Sequence, residues 1–290
     1  MSRKKRKAYI NYDYDALFTE SINVNEDKRI EELLKGGRIK GVYATKMIKA
    51  GKQVEFEIYP EFTRKEVKKN KVKKVNLAQK NLNEKNARKR VARLIENNFN
   101  KGDYWATLTY TNKNIPKSMD EALKNMQNYI RRINYRRKKK GLETAKYIYI
   151  TEWKNEKGGE GIRCHHHLLI DDGLSMDELE KTWKLGRRNN VRRIYPDENG
   201  LAGLAQYLTK DPKGRKRWKG SQNLKQPIER KSYTVFRNSH IKKIISGQID
   251  AKDLIESKYK QLMYLYKEIK YNDKNGRYYI YIRARERWKE

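Results

Sequence analysis

Cys164-His165-His166-His167-Leu168-Leu169-Ile170 is the stretch on which the reading of this chain turns. It holds three of the chain's four histidines, with three apolar residues directly behind them. The apolar run predicts a buried strand. Histidine binds metals and exchanges protons near neutral pH. Side chains alternate faces along a strand, so His165 and His167 point together and His166 points away. Two imidazoles sharing one face of a rigid strand are able to grip one cation. The plainer use of any single one is a hydrogen-bonded core histidine. Spacing alone leaves the outer pair and His166 both open as ligands.

Lys146-Tyr147-Ile148-Tyr149-Ile150-Thr151-Glu152-Trp153 predicts the strand before it, and Gly158-Gly159-Glu160-Gly161 a loop that brings the chain back antiparallel. That return places Glu152 near His165 or His167. Glu156 and Glu160 are looser alternatives, and Asp171 sits at the far end of the histidine strand. A hard ion wants oxygen, and imidazole donors tip a site toward Mn²⁺ or Zn²⁺.

Further out, the four letters Ser-Met-Asp-Glu occur twice, at 118–121 and 175–178. Each reads as a capping box that opens a helix. The first helix carries Ala122, Leu123, Met126, Ile130 and Ile133 inward and stops at Gly141; the second runs through Leu179 and Trp183. Tyr104 to Tyr110 is rich in strand formers, and Val191 to Tyr195 gives a fourth strand. The order β-α-β-β-α-β predicts an α+β, ferredoxin-like antiparallel sheet of two split βαβ units. Helices are expected on one face, leaving the other free for a ligand.

The flanks divide as follows. Residues 1–36 are a basic, flexible segment that opens with Ser2-Arg3-Lys4-Lys5-Arg6-Lys7. Residues 37–103 hold a hairpin turning at Ala50-Gly51-Lys52 and ended by Pro60, a basic run from Lys65 to Lys74, and a basic helix from Asn76 to Asn100; these are expected to pack on the core at 104–212. Residues 213–290 form a basic accessory region, helical from Ile241 to Ser257, with strands at Tyr259 to Lys270 and Arg277 to Arg283.

Seventy Lys and Arg against 36 Asp and Glu give a formal charge of +34. Such a field concentrates polyanions, and nucleic acid is the first of these. Arg131, Arg132, Arg163, Arg215, Lys216 and Arg217 are candidate DNA contacts. Twenty-one tyrosines add rings that stack on bases or fill cores. The pair Tyr147 and Tyr149 therefore also fits a non-catalytic stacking platform. No apolar span reaches membrane length. The single cysteine rules out an internal disulfide and a Cys-rich zinc site, and suits a reducing cytosol.

Behind the fourth strand, Leu201, Leu204, Ala205 and Leu208 form one helical stripe, while Gly203, Tyr207 and Lys210 share another line. A tyrosine hydroxyl is able to attack a phosphodiester when a cation favours its phenolate. Lys210, one turn on, supplies that cation. The Tyr-x-x-Lys spacing also occurs at Tyr43, Tyr110, Tyr135, Tyr264 and Tyr271. Position after the histidine unit selects Tyr207, with Tyr264 and Tyr271 as rivals downstream.

In combination, Ala106-Thr107-Leu108-Thr109-Tyr110, His165-His166-His167-Leu168-Leu169 and Tyr207-Leu208-Thr209-Lys210 resemble the HUH endonucleases, specifically the single-tyrosine rolling-circle replication initiators of plasmids, phages and small DNA viruses. The resemblance covers roughly residues 104–212 and departs at His166, where a hydrophobe is usual. It implies that His165, His167 and Glu152 hold a divalent metal, Mn²⁺ or Mg²⁺. It implies that Tyr207 attacks single-stranded or hairpin origin DNA, leaving a 5′-phosphotyrosyl link and a free 3′-hydroxyl, with Lys210 assisting. A relaxase or transposase of the same fold is the nearest alternative. No Gly-x-x-x-x-Gly-Lys-[Ser/Thr] loop is present, so a host helicase is expected beside a host polymerase, in a bacterial cytoplasm.

Overall fold

The computed structural model describes residues 24–63, 77–153, 163–187, 189–197, 200–208, 218–273 and 275–287. In chain order the elements are α1 (Val24–Lys35), β1 (Gly41–Ala50), β2 (Gln53–Phe62), α2 (Leu77–Asn98), β3 (Tyr104–Thr109), α3 (Met119–Lys139), β4 (Tyr147–Glu152), β5 (His165–Ile170), α4 (Met176–Thr182), β6 (Asn190–Arg193), α5 (Ala202–Leu208), β7 (Trp218–Gly220), β8 (Ile228–Ser232), α6 (Asn238–Ile245), α7 (Ala251–Lys258), β9 (Leu262–Asn272) and β10 (Arg277–Glu286). They fall into two compact units: Val75–Pro227, and the chain up to Lys74 together with Ile228–Glu290.

The first unit is built on a sheet of order β6-β3-β5-β4-β7, antiparallel at every step. The strands β3 and β4 of one βαβ unit have β5 between them, and β5 and β6 of the other have β3 between them. This is the interleaving that two split βαβ units require. The short strand β7 adds an edge the sequence does not announce.

Each helix start has a local cause. Ser175 and Glu178 form a reciprocal box: Ser175 Oγ accepts from Glu178 N at 3.2 Å, and Ser175 N donates to a Glu178 oxygen at 3.0 Å. At the other start Ser118 Oγ accepts from Glu121 N, but Glu121 accepts from Lys117 N instead, so the cap is one-sided. Helix α3 closes at Gly141, whose φ of 70° is open to glycine at low cost.

Helices cover both faces of this sheet, not one as the sequence suggested. Met126, Tyr129, Ile133, Leu179 and Trp183 pack on Ala106, Leu108, Tyr149, Leu168 and Ile170. On the opposite face Leu94 and Ile95 of α2, with Ala205 and Leu208 of α5, pack on Trp105, Ile148, Ile150 and Leu169. The reason lies in the strands. Ile148-Tyr149-Ile150 and Leu168-Leu169-Ile170 are apolar at successive positions, hence on both faces, and each face needs cover. Only at one end of the second face do polar side chains take over, and there the site lies. Tyr149, 3% exposed in the core, offers no stacking platform.

The other unit has sheet order β8-β1-β2-β10-β9. The expected division at 37–103 and 213–290 is corrected here. The hairpin β1–β2 is grouped with the C-terminal strands, and α2 with the first unit. A lone two-stranded hairpin is marginal in water. Here β8 pairs with β1 and β10 with β2. Residues 24–35 of the expected flexible segment form a helix, and Asp27 accepts from Tyr233 N at 2.7 Å. Strand β2 runs on through Pro60, opposite Tyr43, beyond the last β10 partner at Ile58; there β2 lacks a second neighbour and tolerates proline. The helix expected from Ile241 to Ser257 is two helices, α6 and α7, parted at Gly247, where φ is 75°. Met47, Phe56, Phe236, Ile255 and Ile282 are among the residues that fill this unit's core. The tail at Ser2–Lys7 and the run Lys65–Lys74 lie outside the described residues.

Candidate active site

Register puts the polar groups together. On the central strand β5, His165 stands opposite Glu152 of β4 and Thr109 of β3, and His167 opposite Ile150 and Thr107. One ligand atom each from Glu152, His165 and His167 lies within 4.8 Å of the others. His165 Nε2 is 3.1 Å from His167 Nε2 and 3.4 Å from Glu152 Oε2.

The second ring nitrogens explain the orientation. His165 Nδ1 lies 2.9 Å from the Arg163 carbonyl, which only accepts, so Nδ1 carries the hydrogen. His167 Nδ1 lies 3.2 Å from Thr107 Oγ1, which is able to accept likewise. Both Nε2 lone pairs then face one space, with a carboxylate oxygen beside them. Two lone pairs and an anion converging call for a cation between them, either a proton or a metal ion. The hydrogen bond from Glu152 holds the His165 imidazole above its ordinary range. Burial pulls His167 down to about 4, so it offers a neutral ring at neutral pH. A metal would displace the proton that Glu152 helps to hold on His165. The donor set therefore fits a divalent ion. Among the described residues no other cluster of this kind is present. Asp171 is elsewhere, paired with Arg137, and Glu156 and Glu160 lie outside the described residues.

His166 faces the opposite core and is fully buried. Its Nε2 lies 2.7 Å from Tyr110 Oη and its Nδ1 2.8 Å from Thr151 Oγ1, so hydroxyls from the two flanking chains satisfy both nitrogens. Burial lowers it to about 3. Free in the unfolded chain it titrates near 6.5, so the unfolded state binds more protons between those limits. Stability is therefore lost as pH falls from about 6.5 toward 3, by about 1.4 kcal/mol per unit for this one group. Replacing His166 with Gln is expected to remove that contribution and flatten the slope of urea stability between pH 4.5 and 6.5. Identical slopes in the two proteins would contradict it. Cys164 is buried in the same core, its thiol pushed up to about 11, and offers no ligand.

Tyr207 is carried on α5. Its helix is docked by Leu201, Ala205 and Leu208 against α2 and the sheet. Glu96 of α2 accepts from Leu201 N at 2.6 Å at the helix start. The tyrosine Oη reaches 3.3 Å from His167 Nε2. Trp105 lies stacked against His167, centroids 5.3 Å apart, and edge-on to Tyr207 at 5.8 Å. The tyrosine is 46% exposed. It lines a cleft of about 530 Å³ with Trp105, Thr107, His167, Asn190, Arg192, Gly203 and Leu204.

Of the other Tyr-x-x-Lys tyrosines in this unit, Tyr110 is buried behind His166, its hydroxyl pushed up by burial, and Tyr135 is exposed on α3. Tyr43, Tyr264 and Tyr271 belong to the other unit. Lys210, Arg215, Lys216 and Arg217 lie outside the described residues. Arg131 and Arg132 are exposed on α3. Arg163 donates to the Tyr110 carbonyl at 2.7 Å, so its guanidinium already has a structural partner. Sequence reading missed Trp105, Asn190 and Arg192. Trp105 and Thr107 share strand parity, which was legible. That β6 pairs with β3, setting Arg192 opposite Trp105 and Asn190 opposite Thr107, was not.

Residues 103–212 match a family model for replication-associated proteins of the ORF2 type. The matched segment contains the whole cluster, the cleft and Tyr207. No curated protein and no solved structure matches the chain. No helix among the described residues is long and apolar enough to cross a membrane.

Proposed function

We propose that this chain nicks and rejoins single-stranded DNA through Tyr207 and so initiates rolling-circle replication. The family match supports a replication-associated role. The observation that carries the chemistry is the tyrosine hydroxyl standing 3.3 Å from His167 Nε2, at the edge of the Glu152–His165–His167 cluster. In this reading Tyr207 Oη attacks the scissile phosphorus. An O–P bond forms to the 5′ phosphate and the bond to the 3′ oxygen breaks. That oxygen takes a proton from water and becomes a 3′-hydroxyl for a host polymerase. The phenol proton leaves to solvent, and Lys210 favours the phenolate. A later attack by a 3′-hydroxyl on the phosphotyrosine returns the tyrosine and joins the strand. His165, His167 and Glu152 would hold Mn²⁺ or Mg²⁺, which draws charge from the phosphate oxygens. Trp105 keeps His167 and Tyr207 in fixed relation. A host helicase and a bacterial cytoplasm complete the proposed setting.

The test is a denaturing gel of the full chain mixed with labelled, random-sequence single-stranded oligonucleotides and Mn²⁺ or Mg²⁺. Wild type is expected to form a covalent adduct and Tyr207→Phe none. An equal adduct in Tyr207→Phe would overturn the proposal.

A further inference from the structure

Two consecutive arginines on β6 are used in opposite ways. Arg193 donates to the Gly102 carbonyl at 2.9 Å and lies over the Tyr104 ring. Arg192, on the other face, lines the cleft beside Tyr207. Neither its guanidinium nor the Asn190 amide next to it has a hydrogen bond or ion pair among the described residues. The floor between them and α5 is apolar, from Trp105 and Leu204. On the far wall Gly203 stands one helical turn before Tyr207, and a Cβ built there meets nothing within 4 Å. The cleft thus joins an uncommitted cation, an uncommitted amide and a flat apolar floor, with one wall left without a side chain. Its volume, about 530 Å³, falls in the range of small-ligand pockets.

We infer that this cleft is a nucleotide pocket, which holds the nucleotide unit next to the phosphate that Tyr207 attacks and gives the enzyme a base preference there. This rests on the nicking reading. A guanidinium suits a phosphate. An amide, with donor and acceptor together, reads a base edge. An apolar floor receives the base face in a sequence-tolerant way, so preference comes from Asn190. The open wall at Gly203 lets the base approach the helix.

The probe is each of the four deoxynucleoside 5′-monophosphates, titrated into the full chain without metal and followed by the NMR signals of the Gly203 amide and the Trp105 indole. At least one nucleotide is expected to shift both signals saturably. Arg192→Ala is expected to weaken it about tenfold, and Gly203→Leu to abolish it by filling the cleft. Arg192 is exposed and the Gly203 site is open, so both variants keep the fold, which the dispersion of the same spectra checks. The inference is overturned if no nucleotide moves these signals, if the variants bind as wild type does, or if inorganic phosphate alone matches the nucleotide in affinity and shifts. No cleavage enters the measurement, so its failure leaves Tyr207 chemistry standing, and absence of a DNA adduct leaves the pocket standing.

Discussion

Replacing His165, His167 or Glu152 with Ala is expected to weaken Mn²⁺ binding by more than about a hundredfold, while His166→Gln stays within a few fold of wild type. Loss of a partner behind a ligand already costs 10–100-fold in metal sites, and removal of the ligand itself costs more. The expected asymmetry follows from geometry. Both Nε2 atoms of the outer pair face one space 3.1 Å apart, and their Nδ1 atoms are engaged by the Arg163 carbonyl and the Thr107 hydroxyl. His166 spends both nitrogens on Tyr110 and Thr151 in the opposite core. Calorimetric titration of the metal reads this without any DNA. Binding lost in His166→Gln and kept in His165→Ala would reverse the assignment.

Arg137→Ala is expected to destabilise the Val75–Pro227 unit by about 3 kcal/mol, the lower end of the cost of breaking a buried pair. Arg137 is 5% exposed. Its Nη1 and Nη2 donate to the two Asp171 oxygens at 2.8 and 3.0 Å, and its Nε to the Glu143 carbonyl at 2.6 Å. Asp171 also accepts from Lys146 N at 3.2 Å, so the pair ties α3 to the ends of β4 and β5. Burial raises the Asp171 carboxyl even with Arg137 beside it; without Arg137 that charge is uncompensated. Gly173 belongs to the same anchor, since a Cβ there would meet the guanidinium at 2.2 Å. Urea unfolding checks the loss, and a change below about 0.5 kcal/mol would show that the pair stabilises little.

What the sequence made legible was local. Period-two alternation separates His165 and His167 from His166. Doubled Ser-Met-Asp-Glu starts and Gly141 mark helices whose boundaries depend on their own backbone groups. The order of elements then implies the interleaved sheet, because short antiparallel and split βαβ connections leave few arrangements. What stayed hidden depends on distant pairing. Nothing near Val54–Ile58 announces that its partner is Ile280–Arg285. Nothing near Arg192 announces that Trp105 lies across from it. The basic composition did not predict cover on both faces either. That follows from apolar residues at successive positions of β4 and β5, and the partner helix α2 lies upstream of the core in a run that reads mainly as basic.

The account stands most directly on which residue carries the DNA. The measurement is tryptic mass spectrometry of the covalent adduct formed by the full chain with single-stranded DNA and Mn²⁺. The account expects the nucleotide remnant on Tyr207. A remnant on Tyr264, Tyr271 or any other residue, or no adduct at all, would contradict it.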